Sequence, residues 1–352
     1  MLTRSACKNE NESIVMKNVR ISPARSRWSM LTGLCSLFVL GCAASVSVVH
    51  AQNAVYPTKS LTMIVPFAAG GPADLVGREV ARVMTEVMGK PIVVENQGGA
   101  SGTVALNSMA RAVPDGYTML LAASGTVVIH PLLVGKYESV SQSLAPVSLV
   151  STSPHVLVVT NKINVRSVPE LIAYAQAHPG KLNFGSAGTG GAAHLGMELF
   201  KSQAGIDAVH VPYKGTSQVL TDLVSGEVQA LFSSMPSLQS LIDKGSIRAI
   251  GMTGPNAAAQ AVGIPEISKS GLPGLAYTTW YAMFVPMGTP QEIIQKLNAS
   301  LDKVLNDKAL QQKLAPQGLE LHSSSPKELE ALMFEEVSSW GKIIKAANIK
   351  AD

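Results

Sequence analysis

The sequence predicts an α/β fold, because short apolar segments of strand character alternate with amphipathic helical segments along most of the chain. Two of the strand segments run directly into a glycine-rich turn and then a helix, at residues 61–74 and 182–194. Two long amphipathic helices, starting at Pro290 and Pro326, close the chain. We therefore expect two blocks of mostly parallel sheet flanked by helices, with the C-terminal helices packed against the first block.

The predicted elements follow in a regular order. In the first block we expect strands at residues 61–65, 91–95 and 117–122, and helices from residue 72 and over residues 103–112. In the second block we expect strands at residues 156–160, 182–185, 208–211, 228–232 and 248–252, and helices at residues 168–178, 192–203 and 217–224.

Residues 1–51 are predicted to be a leader rather than part of the fold. Basic residues after Met16, an alternative start, precede the apolar run 30–49, which ends in the small-residue pattern Val49-His50-Ala51. This order predicts a secretory signal peptide cleaved after Ala51. A membrane anchor over the same run and a lipoprotein signal acylated at Cys42 remain as alternatives.

The leader also accounts for the apparent basicity of the chain. Six of the 28 Lys and Arg and two of the 24 Asp and Glu lie before Gln52, which leaves 22 of each after it. Without a cationic surplus, no nucleic-acid partner is expected. All three cysteines also lie before Gln52, so disulfides, zinc-thiolate sites and cysteine nucleophiles are not expected in the mature part.

The first glycine-rich turn predicts an anion site. The residues from Ala68 to Gly71 carry almost no side chain, so their N–H groups can approach a ligand closely. Pro72 suits the first helical position, and a helix N-terminus favours a carboxylate or phosphate. An alternative stays open, in which Asp74 caps the helix itself and the glycines only form a tight turn.

The second glycine-rich turn repeats this pattern. Residues 188–193 also fit the dinucleotide fingerprint G-x-G-x-x-A, with Asp207 as the acidic residue, but the motif lies mid-chain and an exported protein rarely meets free nicotinamide cofactor. If the two turns face one cleft, they would hold an anion between two sets of N–H groups. His194 would donate a hydrogen bond to this anion or be an ordinary helix histidine.

A catalytic interpretation lacks its parts. The surroundings of Ser101 and Ser124 do not complete a G-x-S-x-G elbow, and the histidines show no metal-binding spacing. We therefore expect no metal, no cofactor and no covalent chemistry.

Several motifs resemble one family of receptors. They occur in the order IVPFAAGGPAD, NQGGASGTVA, PDGYTMLLA, NFGSAGTGGAAHL, VHVPYKGTSQVLTDLVSGEVQALF and FVPMGTPQEIIQKLN. From Tyr56 to Asp352 the chain resembles the extracytoplasmic solute receptors of the tripartite tricarboxylate transporter family, often called Bug receptors. The resemblance implies a type II-like periplasmic binding protein of two lobes that closes on a ligand, with crossings between the lobes near residues 150–155 and 278–284.

The same resemblance implies lobe boundaries and partners. Lobe 1 would comprise residues 52–152 and 279–352, and lobe 2 residues 153–278. The protein would be a periplasmic monomer that captures a small organic carboxylate for membrane permease subunits of a tripartite tricarboxylate-type transporter. An exported enzyme acting on a small anionic or nucleotide substrate in the same cleft is the alternative.

The resemblance also implies the ligand contacts. In the first lobe these are Phe67, Ala68, Ala69, Gly70 and Gly71, with Asp74 nearby and Ser124 as a further contact. In the second lobe they are Ser186, Ala187, Gly188, Thr189 and Gly190, with His194.

The chain departs from the family pattern in two places. Residues 96–100 read N-Q-G-G-A where the family often has N-R-P-G-A, which removes a cation. Ser233 and Ser234 stand where an acid often follows the strand, which disfavours an amino-acid ligand.

Overall fold

The computed structural model describes residues 56–213, 215–255, 263–346 and 349; the predicted leader lies outside these residues. The described chain forms a mixed sheet flanked by helices. The strands are β1 Leu61–Val65, β2 Ile92–Asn96, β3 Thr118–Ala123, β4 Leu144–Thr160, β5 Leu182–Ser186, β6 Ala208–Pro212, β7 Ala230–Ser234, β8 Ile247–Met252, β9 Thr278–Pro286 and β10 Glu320–Leu321.

The helices of the described ranges include every helix that the sequence predicts. They are α1 Pro72–Met88, α2 Thr103–Arg111, α3 His130–Leu133, α4 Tyr137–Ser141, α5 Val168–Ala177, α6 Ala192–Ala204, α7 Thr216–Ser225, α8 Met235–Asp243, α9 Gln291–Leu305, α10 Lys308–Leu314 and α11 Pro326–Ala346. The sequence does not predict α3, α4, α8 or α10, because segments this short carry too few turns to show apolar periodicity. Among the described helices, none has both the length and the apolar character that a bilayer span requires.

The strand order is β2-β1-β3-β9-β4-β7-β5-β6, and β8 and β10 also pair with β4. Strand β1 runs parallel to β2 and β3, and β5 runs parallel to β6 and β7. The antiparallel strands β4 and β9 lie between these two parallel groups. The predicted fold class, two lobes of mostly parallel sheet flanked by helices, is confirmed.

Strand β4 belongs to both halves of the sheet. It spans 17 residues, whereas the sequence predicts a strand only over its last five. Its pairing with β9 extends as far as Pro154 opposite Thr278, and its pairing with β7 begins at His155 opposite Ser234. One continuous strand therefore leaves the first group and enters the second.

Each parallel group has its own apolar core. Val76, Val80 and Val83 of α1 pack with β1 and β3, and Leu297 of α9 packs in the same core. The C-terminal helix α9 therefore rejoins the first group, as the sequence predicts. Val87, which extends the predicted apolar face of α1, is instead 40% exposed. The second group encloses a separate core built from β4 to β8 and from α5 and α6.

Buried polar and aromatic side chains occupy the junction between the two groups. His155 Nδ1 lies 3.2 Å from the Tyr277 hydroxyl, and its Nε2 lies 3.1 Å from Thr279 Oγ1. Burial lowers the pKa of His155 to about 4, so the ring is neutral at pH 7. Tyr277 also packs edge-on against Trp340 of α11, at 5.7 Å between ring centroids. Helix α11 therefore contacts this junction.

Glu336 lies one turn before Trp340 on α11. Burial raises the pKa of Glu336 to about 7. Glu336 Oε2 and Trp280 Nε1 are both buried, and neither has a hydrogen-bond partner within the described part of the chain. The junction region thus holds the buried His155 and the partly buried Glu336, whose pKa values move in opposite directions.

Candidate functional site

The first glycine loop, residues 67–71, joins the buried strand β1 to α1. Gly70 has a left-handed φ of 84°, and open space lies where its Cβ would stand. Gly71 is the helix N-cap, with extended backbone angles, and Pro72 opens the first turn. Ala68 and Ala69 are exposed. The loop is therefore an open turn at a helix N-terminus, where unpaired N–H groups and the helix dipole favour an anion.

Asp74 holds this loop from within α1. Its Oδ2 accepts a hydrogen bond from Gly70 N at 2.9 Å, and its Oδ1 accepts one from Asn96 Nδ2 at 2.9 Å. Arg78 contacts both carboxylate oxygens, at 3.0 Å and 2.9 Å. Burial acts to raise the pKa of Asp74, but these donors outweigh it and the pKa is lowered. Asp74 is thus an ionised brace of the loop, and the helix cap is Gly71, without a side-chain hydrogen bond.

The second glycine loop, residues 186–190, joins β5 to α6 in the same way. Gly190 has a left-handed φ of 79°, and Gly191 is the N-cap with extended backbone angles. Gly190 N donates a hydrogen bond to His194 Nδ1 at 3.1 Å. Because Nδ1 accepts, the neutral ring carries its proton on Nε2, which lies 3.9 Å from Glu198 Oε1. His194 is only 5% exposed.

The two loops therefore share one backbone design. In each, a left-handed glycine donates its N–H to the side chain four residues later, and the next glycine caps the helix. The N–H groups of Gly70 and Gly190 are engaged within their own loops. Asp74 and His194 act on those glycines from buried positions.

The segment of residues 98–102 lies between the two loops, and sequence reasoning identified it only as a turn. A Cβ on Gly98 would stand 3.2 Å from Ala68 N in the first loop. Ser101 Oγ donates to Thr189 O of the second loop, at 3.4 Å. Ala100 and Ser101 both have left-handed φ values, 46° and 53°, which non-glycine residues adopt only at a cost. The segment connects the predicted contacts of the two lobes.

His130 is a second residue that the sequence did not assign to the site. A Cβ on Gly190 would stand 3.0 Å from His130 Nδ1 and 2.9 Å from Leu133 Cδ2. His130 Nδ1 is buried, and no hydrogen-bond partner reaches it within the described residues. Burial, followed by the charge of Lys136, lowers the pKa of His130. The second glycine loop therefore packs directly on helix α3.

Ser124 is buried at the end of β3. A Cβ on the next residue, Gly125, would stand 3.7 Å from Ala192 N, at the start of α6. The structure therefore brings Ser124 close to the second loop. The departure at Ser233 and Ser234 lies at the end of β7, where both side chains are buried.

A stack of rings supports the second loop. The rings of His194 and His210 lie 3.9 Å apart and nearly parallel, and Phe184 stacks on His210 at 4.9 Å. Ser186 Oγ lies 2.7 Å from His210 Nε2 and donates to Gly188 O at 2.9 Å. An imidazole thus supports each end of this loop, His210 through Ser186 and His194 through Gly190.

The fold and the two glycine loops together define a class of protein. Two α/β lobes share antiparallel crossing strands, and each lobe presents a glycine loop at a helix N-terminus. Within the described residues, no cluster of His, Cys, Asp or Glu could hold a metal ion. This is the architecture of a two-lobed solute-binding protein.

The chain belongs to the receptors of the tripartite tricarboxylate transporter family. The family model described as "Tripartite tricarboxylate transporter family receptor" matches residues 76–349. This match confirms the resemblance that the sequence motifs indicate.

Solved structures of similar proteins agree with this assignment. The Rhodopseudomonas palustris protein Rpa4515 with adipate is 30% identical, with a TM-score of 0.78, covering 84% of this chain and 100% of its own. The periplasmic binding protein BugD is 30% identical, with a TM-score of 0.77 and the same coverage. MatC from Rhodopseudomonas palustris, with bound malate, is 29% identical, with a TM-score of 0.75, covering 82% of this chain and 100% of its own.

Proposed function

We propose that this protein is a periplasmic receptor that captures a small organic carboxylate and passes it to membrane permease subunits of a tripartite tricarboxylate-type transporter. Residues 1–51 would be the leader, with its signal peptide cleaved after Ala51. Residues 52–152 with 279–352 would form lobe 1, and residues 153–278 lobe 2, around the ligand cleft. The protein would act as a monomer and bind without chemical change to its ligand.

The ligand class follows from the donors in the two loops and from the related structures. Similar proteins hold adipate and malate, which are both dicarboxylates. In this chain Arg78, which lies beside the first loop, is already paired with Asp74, so helix N-terminal N–H groups would supply the donors. Hydrogen bonds to a charged group contribute about 1.5–3 kcal/mol each. We therefore propose a small dicarboxylate, held mainly by the backbone.

The proposed contacts are the two loops and their neighbours. Closure would exclude water from the hydrogen bonds, and the ligand would stabilise the closed form through contacts made only there. The residues are Phe67, Ala68, Ala69, Gly70, Gly71, Asp74, Ser124, Ser186, Ala187, Gly188, Thr189, Gly190 and His194.

One observation carries this proposal, the matched backbone design of the two glycine loops. Each loop places a helix N-terminus after a buried strand, and the 98–102 segment contacts both loops. Two helix N-termini brought near each other favour one anion more strongly than either alone. The arrangement supports capture of an anionic ligand between lobes.

A thermal-shift screen tests the proposal. The mature protein is heated with mono-, di- and tricarboxylates, aromatic acids, amino acids and nucleotides. At about 100 times its Kd, a ligand stabilises the folded state by about 2.7 kcal/mol. We expect a dicarboxylate to raise the melting temperature saturably and to be recovered unchanged. Stabilisation by nucleotides alone, or turnover of the ligand, would reject the proposal in favour of an exported enzyme.

A further inference from the structure

The two glycine loops use different side chains for the same structural task. In the first loop the N–H of Gly70 is accepted by the Asp74 carboxylate, and in the second the N–H of Gly190 is accepted by His194 Nδ1. We infer that His194 is the positioning residue of the second loop, and that this loop holds a carboxylate only while His194 Nδ1 is an unprotonated acceptor. The inference rests on the proposed function, because it concerns the same site.

The chemistry of the two acceptors differs in one respect. An ionised carboxylate only accepts hydrogen bonds, whereas an imidazole accepts at Nδ1 only when its single proton is on Nε2. A second proton turns both nitrogens into donors. The Nδ1–H of a protonated His194 would then face the Gly190 N–H across the present 3.1 Å. The left-handed glycine would lose its anchor, and the loop would lose its shape.

Charged groups on α6 favour the accepting tautomer. Glu198 Oε1 lies 3.9 Å from His194 Nε2, and Lys201 Nζ pairs with the same carboxylate oxygen at 2.9 Å. A carboxylate beside Nε2 keeps the proton of the neutral ring on that nitrogen, which leaves Nδ1 free of a proton. Lys201 partly neutralises the negative charge of Glu198, so Glu198 stabilises a doubly protonated His194 ring less strongly.

Titratable groups from other elements also face this histidine. On β6, the His210 ring stacks on it at 3.9 Å between centroids. From α3, His130 Nδ1 lies 3.0 Å from the point where a Gly190 Cβ would stand. A positive charge on any one of these imidazoles disfavours a charge on the others. The second glycine loop thus lies near three histidines. His194 is the one that accepts the hydrogen bond from Gly190 N.

Ligand binding should therefore depend on pH through the second loop and not through the first. Protonation of His194 in acid would turn Nδ1 into a donor and remove the hydrogen bond that holds the second loop. The first loop keeps its brace, because Arg78, Gly70 and Asn96 stabilise the ionised form of Asp74. Acidification should therefore weaken ligand capture without unfolding either lobe.

Three variants separate positioning from packing. His194→Asn supplies a neutral acceptor that does not titrate. In the first loop Asp74, which has the same shape as Asn, accepts from the Gly70 N–H at 2.9 Å, so a side chain of this length can reach the glycine. His194→Leu removes the acceptor and keeps an apolar side chain. His178→Asn, at an exposed position after α5, is the control for histidine removal.

Calorimetric titration with adipate and with malate gives Kd for each variant from about pH 8 to about pH 5.5. Binding that requires an unprotonated imidazole weakens by about tenfold for each pH unit below the pKa of that imidazole. We expect that loss in the wild type and in His178→Asn. His194→Asn should show only the change caused by ionisation of the ligand, and His194→Leu should bind weakly even at about pH 8. Wild-type affinity in His194→Leu, or the wild-type pH profile in His194→Asn, would overturn the inference.

A second readout needs no ligand. In glycine-labelled protein, the amide resonance of Gly190 should shift between about pH 8 and about pH 5.5 in the wild type and stay constant in His194→Asn, with the Gly70 amide as internal reference. A Gly190 amide chemical shift that does not change with pH in the wild type would overturn the inference. If the wild type binds no carboxylate, the proposed function fails, and this resonance still tests the brace.

Discussion

His155 and Glu336 should give the protein two opposite dependences of stability on pH. His155 has an ordinary pKa of 6.5 and a folded pKa of about 4, so its contribution is complete above pH 6.5 and is lost as pH falls to about 4. Glu336 has an ordinary pKa of 4.5 and a folded pKa of about 7, so its contribution is complete below pH 4.5 and is lost as pH rises to about 7.

The two effects are similar in size. Each folded pKa differs from its ordinary value by about 2.5, which corresponds to about 3 kcal/mol at about 1.36 kcal/mol per pH unit. Glu336 keeps some exposure, so its share is an upper value. Between about pH 4.5 and about pH 6.5 the two slopes have opposite signs, and in the wild type they largely cancel.

Single substitutions should reveal each slope. Urea unfolding of the wild type, His155→Gln and Glu336→Gln at about pH 4.5, 5.5 and 6.5 gives the free energy of unfolding, and subtraction removes groups common to all three. Between about pH 4.5 and about pH 6.5, the free energy of unfolding of the variant minus that of the wild type should rise by about 2 kcal/mol for Glu336→Gln and fall by about 2 kcal/mol for His155→Gln. A difference that stays within about 0.5 kcal/mol for either variant would refute the assignment of that group.

Gly190→Ala should weaken carboxylate binding by at least about tenfold relative to Gly70→Ala, measured calorimetrically. Both alanines carry a left-handed cost of about 1–2 kcal/mol, but only the one at position 190 would press on Leu133, at 2.9 Å; equal losses would contradict this. Trp340→Ala should lower the free energy of unfolding by about 3–5 kcal/mol, because Trp340 is 5% exposed. Phe334→Ser on the same helix, at 74% exposure, should change it by less than about 0.5 kcal/mol in the same denaturant titration. Similar changes in both variants would show that Trp340 is not part of the packed core.

Local sequence signals predicted the two strand, turn and helix segments that contain the glycine loops. A buried strand, a run of small residues and a helix start follow one another directly in the chain, so residues 61–74 and 182–194 could be interpreted without tertiary information. The long strand β4 could not be predicted in this way. It contains Pro146 and Pro154, which argue against a central strand, and it tolerates Pro146 because the pairing with β9 is irregular there.

The roles of individual site residues were harder to predict from the sequence. Ala100 and Ser101 adopt left-handed backbone angles that their residue types do not favour, so the sequence indicates a turn but not its direction. For His194, the sequence suggests a donor to an anion, whereas the structure shows Nδ1 accepting from Gly190. Which nitrogen carries the proton depends on Glu198 and on ring orientation, and only coordinates supply these.

The transfer of β4 from one set of partners to the other has a consequence for how the lobes can move. Its pairing with β9 stops at Pro154 and its pairing with β7 starts at His155. A single peptide bond therefore separates the part of β4 that pairs with β9 from the part that pairs with β7. Rotation concentrated at that link would leave both ladders whole, while a pivot placed elsewhere along β4 would break cross-strand bonds. Pro154 lacks an N–H, which spares the link one donor that would otherwise have to change partners.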